Sequence, residues 1–129
     1  MKHYDPNISP IPGQWLELTE HQRIELAQLH HEAARVELPS VKAHAAMHAI
    51  VENQIAMGLP SAVRALPRLM GEGLSRHDAV HAIASVVAEY FFAQLNGKDA
   101  GTAKQAQERY DAALEQLSAS VWLAKEAKL

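Results

Sequence analysis

The stretch "KAHAAMHAIVENQ", Lys42 to Gln54, places two histidines four residues apart, His44 and His48, and follows them with Glu52 after four more residues. On an α-helix, residues four apart lie on one face with their β-carbons roughly 5–6 Å apart. The rest of the stretch is rich in alanine and other apolar residues, so the row belongs to an apolar helix face. This stretch therefore predicts a packed helix that carries polar, metal-ligating side chains toward the interior.

The same spacing recurs in a second stretch, "RHDAVHAI", which begins at Arg76 and contains His77 and His81. Apolar residues continue this row along the helix, so the second pair also faces the interior. An up-down-up arrangement would make the two helices parallel, and each pair lies in the first two turns of its helix. We therefore expect the two pairs to meet at one height in a helical bundle.

Four imidazoles facing one interior need partners. A buried polar group without a hydrogen bond costs roughly 1–3 kcal/mol, and burial opposes protonation of a histidine. The rings must therefore hydrogen-bond one another, hold water or bind a metal. Nitrogen and carboxylate ligands without any cysteine suit a divalent transition metal, with zinc or iron the leading candidates, better than calcium or magnesium.

The predicted metal ligands are His44, His48, His77, His81 and Glu52. Glu52 has three interpretations: it is a ligand, it orients a ligating ring, or it is an ordinary solvated glutamate. His30, His31 and Glu32 end the preceding helix near the same level. Whether they join the site stays open, since a cation at a helix C-terminus is favourable anyway.

Two functional hypotheses follow from the histidine pairs. The first is a metal-binding helical bundle, and if it is an enzyme, metal-assisted hydrolysis or redox chemistry at an open coordination position is expected. The residue after His44 is alanine, so the glutamate of a zinc-protease HExxH motif is missing. The second hypothesis is a non-catalytic interaction protein whose histidines and carboxylate form a buried polar network that titrates near pH ~6. No residue identifies a substrate.

The fold prediction is an all-α, single-domain bundle of four to five helices over residues 1–129, with residues 1–17 irregular and packed on the bundle. Caps, prolines and glycines set the helix bounds. Pro67 predicts a kink or break in the third helix. The predicted helices are Glu20–Arg35, Val41–Met57, Ser61–Met70, Arg76–Leu95 and Thr102–Lys125.

Composition excludes several other classes of protein. The net charge is −3 and no run of Lys or Arg occurs, which argues against a nucleic-acid partner. No apolar run approaches the ~20 residues of a membrane span. The absence of cysteine fits a cytoplasmic location. The second and fourth predicted helices are more apolar than three flanking helices would cover, which predicts a homodimer.

The segments "HAAMHAIVENQIAMGLP" and "RLMGEGLSRHDAVHAIASVV" resemble an uncharacterised bacterial family of small all-helical proteins, classed as a domain of unknown function. The resemblance covers residues 40–92, under half of the chain. Its pattern contains two histidine pairs, a glutamate before "NQ" and an arginine before the second pair. It implies a helical bacterial protein with a polar or metal site, and it supplies no activity.

Overall fold

The computed structural model describes residues 1–33, 41–95, 97 and 101–127. Within them the chain forms seven α-helices and no β-strand, which confirms the all-α class but exceeds the expected four to five helices. The helices are α1 (Pro12–Glu17), α2 (Glu20–Ala33), α3 (Val41–Ala56), α4 (Pro60–Gly71), α5 (Arg76–Leu95), α6 (Ala103–Gln116) and α7 (Ala119–Ala127).

Local capping explains the helix ends that the sequence predicted well. Thr19 and Gln22 form a reciprocal capping box at α2, with distances of 2.9 and 3.1 Å between the backbone nitrogens and the side-chain oxygens. At α5 the Ser75 hydroxyl accepts a hydrogen bond from the Asp78 amide at 3.0 Å. Gly58 ends α3 with a φ of 76°, which glycine adopts at little cost. The bounds of α5 are those predicted, and the predicted end of the first helix at Arg35 lies outside the described residues.

The first additional helix is α1, which corrects the expectation of an irregular segment through residue 17. Pro12 occupies the first turn of α1, where its missing N–H removes no helical hydrogen bond. Trp15 is fully buried and donates its indole N–H to Asn53 on α3 at 2.9 Å. The sequence predicted that residues 1–17 are irregular and pack on the bundle, and it did not predict this six-residue helix.

The second additional helix arises because the predicted fifth helix is interrupted after Gln116. The guanidinium of Arg68 on α4 donates to the carbonyls of Leu114 and Leu117, at 2.8 and 2.6 Å. The carboxylate of Glu72 accepts the Ala119 amide at 2.8 Å. One end of α4 therefore satisfies backbone groups on both sides of the interruption, which offsets the loss of helical hydrogen bonds.

Of the kink or break expected at Pro67, the break is absent, because α4 continues from Pro60 to Gly71 with Pro67 inside it. The residues around Pro67 are held by burial: Ala65, Leu66 and Leu69 belong to the core. Tertiary packing thus outweighs the local cost of proline, about 3 kcal/mol in a helix interior.

Two groups of buried apolar residues surround the histidine pairs. The larger group contains residues of all five helices from α3 through α7 and includes Val51, Leu69, Ile83 and Leu114. The smaller group joins the residues before α1 to α2 and α3, and includes Tyr4, Trp15, Ala27, Ala45 and Ala49. Small alanines at Ala45 and Ala49 allow close packing on this side of α3.

The apolar pattern of the sequence predicts five core residues, Met57, Ile83, Val87, Phe91 and Leu117, and the outcomes were mixed. The side chain of Phe91 lies outside the described part of the chain. Ile83 is fully buried, as predicted, whereas Met57 is 66% exposed because it lies beyond the last turn of α3. Val87 and Leu117 are partly buried against the larger group. No helix in the described residues is long and apolar enough to cross a bilayer. The single domain and the homodimer stay predictions.

Candidate metal centre

Three histidines bring their Nε2 atoms together where α3 packs against α5. The Nε2 atoms of His44 and His81 lie 2.9 Å apart, those of His48 and His81 lie 2.9 Å apart, and those of His44 and His48 lie 3.1 Å apart. His48 is fully buried and the other two rings are half-buried. We call these three side chains the histidine triad.

The triad has dimensions that suit one metal ion. Zinc and similar ions bind histidine nitrogen at about 2.0–2.1 Å, and nitrogens at the observed separations would then make N–metal–N angles of roughly 90–100°. All three ligand atoms lie close enough together to contact a single ion. Since only three positions would be used, a bound ion would keep further positions open for water or another ligand.

The triad's nitrogens cannot all satisfy one another by hydrogen bonds. Each Nε2 atom is either protonated, and a donor, or unprotonated, and an acceptor. Among three mutually close atoms at least two must be alike, so at least one of the three contacts sets donor against donor or lone pair against lone pair. A cation among three lone pairs removes this conflict.

The tautomer of His48 is set on the other side of its ring by Tyr4. The Tyr4 hydroxyl donates to Glu52 Oε2 at 2.6 Å, and it lies 3.1 Å from Nδ1 of His48. Because the single hydroxyl proton goes to the carboxylate, the hydroxyl accepts from His48, and Nδ1 carries the proton. In the neutral ring, Nε2 is then unprotonated, and its lone pair faces the other two rings of the triad.

Glu52 is held by a buried ion pair. Its two oxygens accept from the two terminal nitrogens of Arg76, both at 2.8 Å, and neither side chain is more than 5% exposed. Arg76 also donates to the Pro6 carbonyl at 2.8 Å. The sequence left Glu52 open among a ligand, an orienting group and a solvated glutamate, and its burial in this ion pair rules out the solvated glutamate.

Two pKa shifts describe the charge state of this network. Burial, reinforced by the charge and hydrogen bond of Glu52, raises the pKa of Tyr4 far above its ordinary value, so the phenol stays protonated. Burial alone would lower the pKa of Arg76, but its hydrogen bond to Glu52 and the charge of that carboxylate outweigh this and raise it. The network therefore contains a neutral phenol, a carboxylate and a guanidinium.

The structure places His77 beside the triad without including it in the group of converging ligand atoms. Its ring centroid lies 4.3 Å from that of His81 and 5.6 Å from that of His30. Its backbone amide donates to Asn7 at 3.1 Å. A ligand role for His77 stays a prediction. His30 packs against the cluster, and the side chains of His31 and Glu32 lie outside the described residues.

A cavity of about 310 Å³ lies against the triad. Besides the triad, its lining residues are Met47, Ala84, Ser85 and Trp122. Trp122 is 6% exposed, and its indole Nε1 has no hydrogen-bond partner among the described residues. A metal ion bound by the triad would thus have its remaining coordination positions beside a small, mostly apolar space.

Sequence reasoning missed the roles of Tyr4 and Trp122. Tyr4 precedes the first helix, in a segment without periodicity, and its partner His48 lies 44 positions away. Trp122 lies on α7, whose separate existence was not predicted. No local motif marks either residue. The only sequence signals were that both are large aromatic residues in a chain with few of them.

Comparisons with protein-family models, with curated proteins and with solved structures found no match to this chain. The resemblance to an uncharacterised bacterial family therefore stays a prediction, and the function must be argued from the site.

Proposed function

We propose that the protein binds one divalent transition metal ion through Nε2 of His44, His48 and His81, and that the ion acts on a small molecule held in the adjacent cavity. The observation that carries this proposal is the triangle of Nε2 atoms at 2.9, 2.9 and 3.1 Å. Three imidazole nitrogens converge on one point, which is the arrangement that a metal ion requires.

The surroundings of His48 support the same proposal. Metal-ligating histidines usually donate their second N–H to an oxygen, which fixes the ring and increases its basicity. The Tyr4 hydroxyl serves here, and it is itself held by Glu52 and Arg76. In this proposal Glu52 orients the ring through Tyr4 and does not bind the ion.

Iron and zinc remain the metals to test. Angles of roughly 90–100° are nearer to those of a six-coordinate ion than to tetrahedral zinc, which favours iron(II) on geometric grounds. Zinc binds nitrogen sites more tightly than iron in general. Either ion would supply Lewis-acid polarisation at an open position, and iron would add redox chemistry.

The alternative is a metal-free polar network in an interaction protein. The hydrogen bond from Tyr4 to Glu52 and the ion pair of Glu52 with Arg76 favour this alternative, because they satisfy buried polar groups without any ion. It leaves the conflict among the three Nε2 atoms unexplained, so we place it second.

Metal titration of chelator-treated protein tests the proposal. We expect one iron(II) or zinc ion per chain, with binding abolished in His48→Ala and His81→Ala. His21→Ala is the matched control, because its side chain is 87% exposed on α2. Failure of the wild-type protein to take up either metal at stoichiometric level would end the proposal.

Thermal melts separate the two hypotheses in the same variants. A metal that binds only the folded state adds about 2.7 kcal/mol at a hundredfold excess over its dissociation constant. We expect that increment in wild type and its loss in the two variants. A metal-free network instead predicts no increment in wild type and a loss of roughly 1–3 kcal/mol in each variant, with or without metal.

A further inference from the structure

The cavity beside the triad has a chemical character that restricts what it can hold. Apart from the triad it is lined by a thioether, a methyl group, a hydroxyl and an indole, from Met47, Ala84, Ser85 and Trp122. Apart from the triad, none of the described lining residues carries an ionisable acidic or basic side chain. Its volume of about 310 Å³ is at the lower end of pockets that take small molecules.

Electrostatics then favours an anion at the open metal positions. Three neutral imidazoles leave the charge of a divalent ion uncompensated. The nearest carboxylate in the network, Glu52, is already paired with Arg76 at 2.8 Å. A ligand that binds the ion from the cavity therefore gains most if it brings the missing negative charge.

Trp122 supplies a second, independent indication. An indole N–H can only donate, and a buried donor without a partner is unfavourable. The Trp122 N–H has no acceptor among the described residues, while the ring lines the cavity. The Ser85 hydroxyl is committed as a donor to the Ala82 carbonyl at 2.6 Å. An acceptor carried by a molecule in the cavity would satisfy this buried donor.

We propose that the cavity binds a small organic carboxylate, with one oxygen on the metal, the carboxylate accepting from Trp122, and its hydrocarbon part against Met47 and Ala84. This rests on the proposed metal site. A phosphate is disfavoured, because the described lining offers no Lys or Arg for its extra charge. The apolar lining instead favours an anion that carries a hydrocarbon chain.

Cobalt(II)-loaded full-length protein provides the test, because its visible spectrum changes when an anion enters the coordination sphere. The probes are acetate, butyrate and hexanoate at one pH. We expect saturable spectral changes, with affinity rising up to about fourfold per added methylene as the chain is buried. Inorganic phosphate is the comparison anion and should bind more weakly than butyrate.

Two variants examine the assigned contacts. Trp122→Phe keeps an aromatic ring but removes the donor, and we expect butyrate affinity to fall about tenfold or more with one cobalt still bound. Trp15→Phe is the matched control, since it removes a buried indole N–H that already has Asn53 as its acceptor. Ser85→Leu, at an exposed lining position, should weaken hexanoate more than acetate.

Metal analysis of the same samples separates the two proposals. Protein that binds no cobalt overturns the metal site and this inference together. Protein that holds one cobalt ion but shows no carboxylate response overturns this inference alone. Equal affinity for all three carboxylates would contradict a hydrocarbon-binding cavity, and equal losses in Trp122→Phe and Trp15→Phe would contradict the hydrogen bond from Trp122.

Discussion

The Tyr4 hydroxyl lies 3.1 Å from His48 Nδ1, although the two residues are 44 positions apart in the sequence. The hydroxyl donates to Glu52 at 2.6 Å, so it accepts a hydrogen bond from the Nδ1–H of His48. In the neutral ring this contact selects the tautomer whose unprotonated Nε2 faces His44 and His81. A residue outside every predicted helix therefore selects the tautomer of the ring at the centre of the site.

Replacement of Tyr4 by phenylalanine should reduce the free energy of metal binding more than it reduces the free energy of unfolding. The ring would still fill its place, but His48 would lose the acceptor for Nδ1–H. Loss of such an outer hydrogen bond typically costs 10–100-fold in metal affinity. Titration with zinc or iron(II) measures the change.

Tyr110→Phe is the control for that variant. Tyr110 is also buried and donates its hydroxyl to Gln54 at 2.7 Å, away from the triad's nitrogens. We expect Tyr110→Phe to leave metal affinity within about twofold of wild type while costing roughly 0.5–1.5 kcal/mol of stability. Unchanged affinity in Tyr4→Phe would show that Tyr4 does not orient His48.

Glu52→Gln should destabilise the apo protein strongly. The variant leaves the Arg76 guanidinium buried without a countercharge, a change that typically costs 3–5 kcal/mol. Glu115→Gln provides the comparison, because its ion pair with Arg64 has side chains 44% and 61% exposed. Such exposed pairs are worth about 0–1 kcal/mol. Denaturant unfolding of both variants measures the difference, and similar losses would contradict the burial of the Glu52–Arg76 pair.

Stability should depend on pH through Glu72, which accepts the Ala119 amide between α6 and α7. That backbone hydrogen bond, with help from Arg68, lowers the pKa of Glu72 below its ordinary value of 4.5. The unfolded state then binds this proton more readily than the folded state does. The contribution is therefore fully present above pH 4.5 and is lost as the pH falls through the lower folded pKa.

Glu72→Gln isolates this contribution, because glutamine can still accept the amide but does not titrate. Urea midpoints of wild type and variant should differ at neutral pH, with wild type higher, and converge as the solution is acidified below pH 4.5. A difference that stays constant with pH would mean that Glu72 is not ionised in its cap.

Ile83 and Met57 were both predicted as core residues, and the structure buries only the first of them. Ile83 is fully buried on α5, so Ile83→Ala should cost about 2–5 kcal/mol. Met57 is 66% exposed, so Met57→Ala should remain within about 0.5 kcal/mol of wild type. Thermal or denaturant melts decide both, and a near-neutral Ile83→Ala would contradict the packing of α5.

The start of α2, the end of α3 and the start of α5 were predictable because local residues encode them. Thr19, Ser75 and Gly58 act within a few positions of the helix ends that they form. The interruption between α6 and α7 was not predictable in this way, because Arg68 and Glu72 make it from 46 to 49 positions away. Long-range capping leaves no periodic signal in the segment that it divides.

The candidate site shows the same contrast between features that local residues encode and features that distant residues determine. The spacing of the two histidine pairs predicted that all four rings would converge. The structure brings His44, His48 and His81 together and places His77 beside them, outside the group of converging ligand atoms. The roles of Tyr4 and Arg76 depend on how the segment before α1 docks, and helical periodicity does not describe that docking. Helical spacing thus predicted that the two helix faces meet, and it did not predict the groups that orient the rings.

The docking of the segment before α1 has a consequence for its resistance to cleavage. Exposed segments without regular secondary structure are preferred sites of proteolysis unless contacts hold them. Here Tyr4 bonds to His48 and Glu52, and the Pro6 carbonyl accepts from Arg76. An ion on the triad that selects the Nδ1-protonated form of His48 would strengthen the first of these contacts. Metal loading and protection of the early residues from proteases are therefore expected to rise and fall together.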